Sequence, residues 1–294
     1  MPFWRGQKTE RHDMTIQPKL VEFLHSAITL PEFNVFAINF GEFGIRWYAL
    51  AYIAGLLIGI YILRRETRSP HAVMTADQTD WLLNYLLIGI ILGGRFGYVF
   101  FYNATYYLEN PLSILHVWQG GMSFHGALIG VGLALFTMAK RHNIAFLALS
   151  DRVAMVTPIG LFLGRLSNFI NGELFGRVTD VPWAMIFPHS DGLPRHPSQL
   201  YEAGLEGILL GLAMYICWRR SWLKAAGRLT GLFLFGYGLA RFLVELVRQP
   251  DAHIGLLAGG LSMGQILSLP MMLLGLYLLR HGLRPSRDES SDHE

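Results

Sequence analysis

Long apolar runs separated by short polar connections dominate the chain from residue 45 onward. Each run approaches the roughly 20 residues that an α-helix needs to cross the hydrocarbon core of a bilayer. Seven runs predict spanning helices, at residues 46–63, 81–102, 123–139, 151–170, 199–218, 230–247 and 261–280. The pattern therefore predicts an all-α polytopic membrane protein with seven transmembrane helices and a small extracytoplasmic loop region.

These runs divide the chain into three parts. Residues 1–44 form an N-terminal arm, partly interfacial, residues 45–280 form the transmembrane domain, and residues 281–294 form a tail. Within the arm, residues 19–28 favour a short amphipathic helix on the membrane surface, and residues 31–43 favour short paired strands.

Composition agrees with a membrane protein. The chain is 52% hydrophobic and 15% charged, whereas soluble domains carry about 25% charged residues. The net charge of +3 is distributed between the apolar runs, so it predicts topology and no nucleic-acid partner. Cys217 is the single cysteine, which excludes an internal disulfide and a cysteine-based metal cluster.

Basic residues predict the orientation, because short loops rich in Lys and Arg face the cytoplasm. Alternate connections hold thirteen basic residues against three in the others. The thirteen are Arg64, Arg65, Arg68, Lys140, Arg141, Arg152, Arg219, Arg220, Lys224, Arg228, Arg280, Arg284 and Arg287, and the three are Arg177, Arg195 and Arg248. The N-terminus is then extracytoplasmic and the C-terminus cytoplasmic.

With this orientation, nearly every ionisable residue inside a predicted helix falls in the outer half. They are Arg95, His125, Arg165, Glu202, Glu206, Arg241 and Glu245. A charge in the bilayer core costs from about 3 to more than 10 kcal/mol, so scattered structural roles would not give this bias. Tyr237, Arg241, Glu245 and Arg248 also share one helix face by their spacing. We therefore expect one polar cavity that opens outward.

The residue types in this cavity favour binding of a phosphate, because a guanidinium group is always charged and matches phosphate geometry. Arg165 could instead reach the headgroup layer or pair with a carboxylate, and Arg241 with Glu245 could be a structural ion pair. His125 is a candidate general base, since its ordinary pKa lies near neutrality, although a lone histidine is often structural. The spacing shows no metal site, and Ser123 lacks the context of a hydrolase nucleophile.

Several long motifs resemble the prolipoprotein diacylglyceryl transferase family, over roughly residues 30–280. The most distinctive is GRLSNFINGELFG at residues 164–176. The others are RWY at 46–48, GGRFGY at 93–98, GGMSFHG at 120–126, RHPSQLYE at 195–202, and residues 241–251. Two positions depart from the family pattern, Ser167 and Ala127, each in place of a glycine. Both are exchanges between small residues, so we expect helix packing to tolerate them.

The resemblance implies an enzyme of the bacterial inner membrane. It would move the diacylglyceryl group of phosphatidylglycerol to the lipobox cysteine of a preprolipoprotein, without a cofactor or metal and as a monomer. Carried over by position, His125 is the candidate base, and Arg165 and Arg241 bind the lipid phosphate. The supporting site residues are Tyr48, Asn168, Asn171, Glu173, Gly176, Tyr237 and Glu245.

Two other functions compete with this reading. An anion transporter would also need a polar path to the cytoplasmic side, but the inner halves of the third, fifth and seventh predicted helices are almost wholly apolar. A lipid-binding scaffold without catalysis would tolerate replacement of His125, whereas the enzyme would lose most turnover.

Overall fold

A computed structural model describes residues 28–40, 43–70, 72–117, 120–220, 222, 225–249 and 260–282, without the side chains of Phe40, Phe43, Phe124 and His125. The amphipathic helix expected at residues 19–28 lies outside these residues except for Ile28, and so does the tail beyond Gly282.

The described residues form seven long helices and one short helix. They are α1 (Trp47–Glu66), α2 (Ala76–Tyr102), the short α3 (Ala104–Glu109), α4 (Phe124–Arg141), α5 (Phe146–Ile170), α6 (Ser198–Arg219), α7 (Arg228–Val244) and α8 (Met263–His281). A 3₁₀ turn at Pro111–Leu115 follows α3. Each apolar run of the sequence coincides with one long helix, although α2 and α5 begin about five residues earlier than the hydrophobic pattern predicts.

Within the described ranges, five helices are long and apolar enough to cross a membrane: α1, α2, α5, α6 and α8. The other two long helices are borderline. α7 has 17 residues, and the 18 residues of α4 include His125, Lys140 and Arg141, which lower its mean hydropathy. The structure therefore supports a helical membrane protein with five clear candidate spans.

Side-chain caps determine where several helices begin. Thr75 and Gln78 form a reciprocal capping box at the start of α2, and Ser262 and Gln265 form another at the start of α8. Ser123 accepts a hydrogen bond from the backbone N–H of Gly126 and so caps α4. These side chains satisfy backbone N–H groups that have no partner within the helix.

Glycine allows α2 and α4 to approach closely. A Cβ atom added at Gly93 would lie 2.4 Å from the carbonyl oxygen of Gly126, and one at Gly97 would lie 2.6 Å from the Cα atom of Gly126. The two backbones are therefore in direct contact, as small residues permit between helices in lipid.

In the part of the chain that the structure describes, four short strands lie outside the long helices. β2 (Phe36–Phe40) pairs antiparallel with β3 (Phe43–Arg46), in agreement with the expectation of short strands in this part of the chain. β1 (Ile28–Thr29) pairs in parallel with β4 (Met185–Ile186) in the connection between α5 and α6. This connection, residues 171–197, carries much of the candidate site described below.

Arg152 does not belong to a cytoplasmic loop, contrary to the charge count made from the sequence. It lies in the second turn of α5 and is buried, 3.4 Å from Glu66 at the end of α1. The neighbouring Asp151 accepts hydrogen bonds from the backbone N–H groups of Gly227 and Thr230 and from the Thr230 hydroxyl, at 2.7–2.8 Å. We call Glu66, Asp151 and Arg152 the sealed cluster.

Candidate active site

Six charged side chains meet at the opposite end of α5, and we call them the ionic cluster. They are Arg165, Glu202, Glu206, Arg241, Glu245 and Arg248. Arg165 lies near the end of α5, and Glu202 and Glu206 lie in the first turns of α6. Arg241, Glu245 and Arg248 lie at and just beyond the end of α7. Because these three helix ends converge, residues distant in sequence form one network.

Glu202 is the centre of the ionic cluster. Its Oε2 atom lies 3.1 Å from Arg165, and its Oε1 atom contacts both Arg241 and Arg248, the latter at 3.2 Å. Arg241 also pairs with Glu245, four residues later. One carboxylate therefore holds all three guanidinium groups.

Glu206 occupies the second position on the same helix and holds Arg165 alone. Arg165 donates through Nε and Nη2 to a single oxygen, Oε2 of Glu206, at 3.2 Å each. The helix is π-helical over Ala203–Leu209, between the α-helical segments Ser198–Glu202 and Leu210–Arg219. Short π-helical insertions often occur at functional sites, and here the insertion accompanies two carboxylates that contact the same arginine.

Exposure differs between the cations and the anions of the cluster. The Arg165 and Arg241 side chains are 15% and 18% exposed, whereas Glu202 and Glu206 are completely buried. The carboxylates therefore hold the guanidinium groups from behind, and the accessible face of the cluster is positive.

Three tyrosines surround this face. Tyr237 on α7 interacts electrostatically with Glu206, Arg165 and Arg241. The hydroxyl groups of Tyr48 and Tyr52 on α1 lie 2.8 Å apart, and Tyr52 interacts with Arg165. Tyr237 on α7 and Tyr52 on α1 therefore lie near Arg165, and Tyr48 is hydrogen-bonded to Tyr52.

Asn168, Asn171 and Glu173 form a second polar group in the last turn of α5 and directly after it. Both asparagines donate to Oε1 of Glu173, at 2.9 and 3.2 Å. The side chain of Gln199 on α6 donates to the backbone carbonyl of Glu173 at 2.6 Å. The chain turns here through Gly172 and Leu174, both in the left-handed region, with φ of 65° and 59°. These bonds fix an exposed carboxylate at the end of the helix that carries Arg165.

Gly176 joins this turn to the end of α7. Its N–H donates to the carbonyl of His196, and it forms an isolated bridge with Arg248. A Cβ atom at this position would lie 2.6 Å from both the His196 Cβ atom and the Val247 carbonyl oxygen. Only glycine fits between these segments without displacing one of them.

Arg195 clamps the same loop. It donates through Nε and Nη2 to the two carboxylate oxygens of Asp191 at 3.0 and 2.7 Å, and through Nη1 to the Gly176 carbonyl at 3.1 Å. The hydrogen bonds from Arg195 hold the pKa of Asp191 below its usual value. Partial burial lowers the pKa of His196, whose Nδ1 atom lies 3.2 Å from the Tyr201 hydroxyl.

Arg95, which the sequence places in the expected cavity, has a structural role. Its guanidinium group donates to the backbone carbonyls of Ser113, Ile114, His116, Gly120 and Gly121, at 2.6–3.3 Å. It also lies over the Tyr107 ring. Arg95 therefore orders the loop between α3 and α4 and is not part of the ionic cluster.

His125 lies in the first turn of α4, and its side chain is outside the described atoms. The turn itself is anchored, because the N–H of Ser123 donates to the carbonyl of Gly94 on α2 at 2.8 Å. Ser167 is one of the two positions that depart from the family pattern. Its hydroxyl donates to the Leu163 carbonyl at 3.1 Å, and α5 continues past this residue to Ile170.

Of the predicted site residues, the structure joins Arg165, Arg241 and Glu245 into one network and Asn168, Asn171 and Glu173 into another. Three members of the ionic cluster were expected in or beside the polar cavity but were given no role at the site: Glu202, Glu206 and Arg248. Their signal in the sequence is the four-residue spacing of two glutamates inside an apolar run, where a carboxylate needs a buried cation as partner.

Comparison with known proteins gives a consistent family assignment. Residues 35–281 match the family model described as prolipoprotein diacylglyceryl transferase. A phosphatidylglycerol–prolipoprotein diacylglyceryl transferase of Rhodospirillum rubrum is 53% identical over 85% of this chain and 92% of its own length. Proteins of the same name from Paramagnetospirillum magneticum and Nitratidesulfovibrio vulgaris are 51% and 47% identical, over 88% and 87% of this chain and 97% of each relative. The chain therefore belongs to the prolipoprotein diacylglyceryl transferase family.

Proposed function

We propose that this protein transfers the diacylglyceryl group of phosphatidylglycerol to the lipobox cysteine of preprolipoproteins, the first step of bacterial lipoprotein maturation. The cysteine sulfur forms a bond with the carbon of the diacylglyceryl group that carries the phosphate. The bond between that carbon and its phosphate oxygen breaks. The products are a thioether-linked lipoprotein precursor and glycerol 1-phosphate, and the thiol proton balances the charge of the released phosphate.

The observation that carries this proposal is the positive accessible face of the ionic cluster. Arg165 and Arg241 are partly exposed and are held from behind by completely buried carboxylates. Negative charge grows on the phosphate as the carbon–oxygen bond breaks. Prepositioned donors stabilise such charge most strongly where water is excluded, and each is worth about 3–4 kcal/mol in comparable sites.

His125 is the candidate general base. A cysteine thiol has a pKa near 8.5, so a histidine within hydrogen-bond reach would raise the fraction of thiolate near neutral pH. An alternative role is to position the thiol while a phosphate oxygen accepts the proton. The nucleophile comes with the substrate in either case, so the enzyme needs no cysteine of its own.

The remaining site residues position the lipid and the arginines. Glu245 and Tyr237 orient Arg241 and Arg165, and Tyr48 borders the same face from α1. Asn168, Asn171 and Glu173 offer polar groups beside the cluster, and Gly176 allows the loop to approach the end of α7.

We further propose that all seven long helices cross the bacterial inner membrane, with the N-terminus outside, the C-terminus inside and the site near the outer leaflet. The last turns of α1, α4, α6 and α8 contain the basic residues Arg64, Arg65, Lys140, Arg141, Arg219 and Arg280. These turns lie at the end of the bundle opposite the ionic cluster, as the positive-inside rule requires. A reporter fused after residue 294 tests this orientation: an extracytoplasmic signal would overturn it.

The decisive experiment is a transfer assay with purified protein, labelled phosphatidylglycerol and a lipobox peptide. We expect a thioether product that is absent when the peptide carries serine in place of cysteine. The His125→Gln variant should lose most turnover, by about 10²–10⁴-fold if the histidine is a general base. Absence of product from the wild type would refute the function, and full activity of the variant would refute the base assignment alone.

A further inference from the structure

With all six of its groups ionised, the ionic cluster is electrically neutral before any ligand arrives. It contains three guanidinium groups and three carboxylates, and the ion pairs of the cluster join these groups to one another. A phosphodiester brings one further negative charge to this buried network. An unbalanced buried charge is costly, so binding must be accompanied by a change that restores neutrality.

The three carboxylates are held unequally. Glu202 contacts three arginines through both oxygens, and Glu245 contacts Arg241 closely and Arg248 at 3.8 Å. Glu206 contacts only Arg165 among the described residues. Glu202 and Glu206 each have one buried oxygen without a hydrogen-bond partner there, but Oε2 of Glu202 still lies 3.1 Å from Arg165, whereas Oε1 of Glu206 has no ion pair. Glu206 is therefore the least stabilised negative charge of the cluster.

The ion pair between Arg165 and Glu206 also occupies N–H groups of Arg165 that could bind a phosphate. The Nε and Nη2 edge of a guanidinium is the edge that binds two oxygens of a phosphate in the forked arrangement. In the resting cluster this edge is directed to one oxygen of Glu206 at 3.2 Å. Phosphate can bind to this edge only if Glu206 no longer accepts its hydrogen bonds.

Among the described side chains, no second cation contacts Glu206. The charged and titratable groups that face it are Arg165 on α5, Glu202 on its own helix, and Tyr237 and Arg241 on α7. Arg241 is already paired with Glu202 and Glu245. Loss of the Arg165 contact would therefore leave a buried carboxylate next to a second carboxylate, unless it becomes neutral.

We infer that Glu206 takes up a proton from solvent when the lipid phosphate binds to Arg165 and Arg241. The protonated carboxyl group releases the Nε and Nη2 edge of Arg165 to the phosphate, and the cluster with its bound anion is again neutral. This inference rests on the proposed function, because it assigns the phosphodiester lipid to this site. Glu206 is then a positioning residue, which loses its negative charge by protonation when the ligand brings a negative charge to the cluster.

Calorimetry of phosphatidylglycerol binding in buffers with different ionisation enthalpies tests the inference directly. The wild-type protein in detergent should take up about one proton per lipid bound, and its dissociation constant should rise about tenfold per pH unit where free Glu206 is ionised. Infrared difference spectra should show a new protonated carboxyl band on adding phosphatidylglycerol and none on adding diacylglycerol, which lacks phosphate. Absence of proton uptake by the wild type overturns the inference, whatever the variants do.

Two variants on the same helix identify the carboxylate. Glu206→Gln should abolish proton uptake, flatten the pH dependence, and bind the lipid as tightly as wild type does at acid pH, where wild-type Glu206 is already neutral. Glu202→Gln removes the same charge but also the anchor of three arginines, so it should bind more weakly than wild type even at acid pH. Proton uptake that persists in Glu206→Gln, or equal losses of affinity in both variants, would overturn the inference.

A third variant and the transfer assay complete the design. Glu66→Gln neutralises a buried glutamate at the far end of the bundle, and proton uptake should be unchanged in it; loss of uptake there would overturn the assignment to Glu206. If the wild type makes the thioether product without proton uptake, the inference fails and the proposed function stands. If it binds the lipid with proton uptake but makes no product, the proposed function fails and the inference about the anion stands.

Discussion

Two buried groups of charged residues lie at opposite ends of α5, and they differ in what their charges contact. In the sealed cluster, Arg152 and Glu66 are each about 1% exposed. Asp151 is held there by two backbone N–H groups and a hydroxyl at the start of α7. In the ionic cluster, carboxylates pair only with guanidinium groups, and two of those groups are partly exposed.

The comparison teaches that burial of an arginine does not by itself identify a site. Arg152 is more deeply buried than Arg165, but it joins α5 to α1 through Glu66, while the neighbouring Asp151 joins α5 to the start of α7. Arg165 has the same chemistry with one face accessible. An arginine held by carboxylates on one side and open on the other can bind an anion, because its own partners already fix its position.

The largest expected effect is loss of a guanidinium group from the ionic cluster. Arg165→Ala and Arg241→Ala should each lower turnover by about 10²–10³, because each removes a donor that stabilises charge on the leaving phosphate. Labelled-lipid transfer measures this, with Arg64→Ala as control, since Arg64 is 54% exposed and distant from the site. Near-normal turnover in both alanine variants would remove the functional distinction between the two clusters.

Substitutions in the sealed cluster should lower the stability of the protein and leave its turnover nearly unchanged. Arg152→Ala leaves Glu66 buried without its cation and should lower the free energy of unfolding by about 3–5 kcal/mol, the usual cost of breaking a buried pair from one side. Turnover per folded molecule should stay near that of wild type. Denaturant titration with activity measured below the transition checks both parts, and the double variant Glu66→Gln/Arg152→Met should recover much of the stability. A strong fall in turnover of folded Arg152→Ala would contradict the structural role.

A smaller effect is expected from a change that moves one carboxylate of the ionic cluster. A Cβ atom at Gly264 on α8 would lie 2.5 Å from Oε1 of Glu245, so Gly264→Ala should displace this carboxylate from Arg241. We expect turnover to fall about tenfold, since small misplacements of catalytic groups cost up to 10²-fold. The matched control is Gly132→Ala on α4, where a Cβ atom meets nothing within 4 Å. Equal activity of the two variants would show that Glu245 does not position Arg241.

The smallest effect concerns the loop clamp of Asp191 and Arg195. Because the pKa of Asp191 is lowered in the folded protein, its ion pair stabilises the loop above the unfolded pKa of about 3.9. That contribution is lost as pH falls through the folded value. Asp191→Asn should therefore lower the thermal midpoint slightly at neutral pH, and the difference from wild type should shrink below about pH 4. A difference independent of pH would mean that the charge is not responsible.

The sequence predicts the helical framework well, for a physical reason. An apolar run of about 20 residues can satisfy its backbone in lipid only as a helix, so each such run became a long helix. The hydrophobic pattern failed where polar residues extend a helix, as at residues 76–80, which form the first turn of α2. The charge count failed at Arg152, because its buried partner Glu66 comes from another helix and leaves no mark in the local sequence.

The sequence by itself determined the family, through motifs such as residues 164–176, and the expectation that Arg165, Arg241 and Glu245 share one cavity. Tertiary structure alone decided which arginines have an accessible face that can bind an anion. Arg95 and Arg165 look alike along the chain, yet five carbonyl groups occupy Arg95 and two carboxylates leave one face of Arg165 open. The partners of a buried charge come from helices distant in sequence, and only packing brings them within 3–4 Å, where ion pairs form.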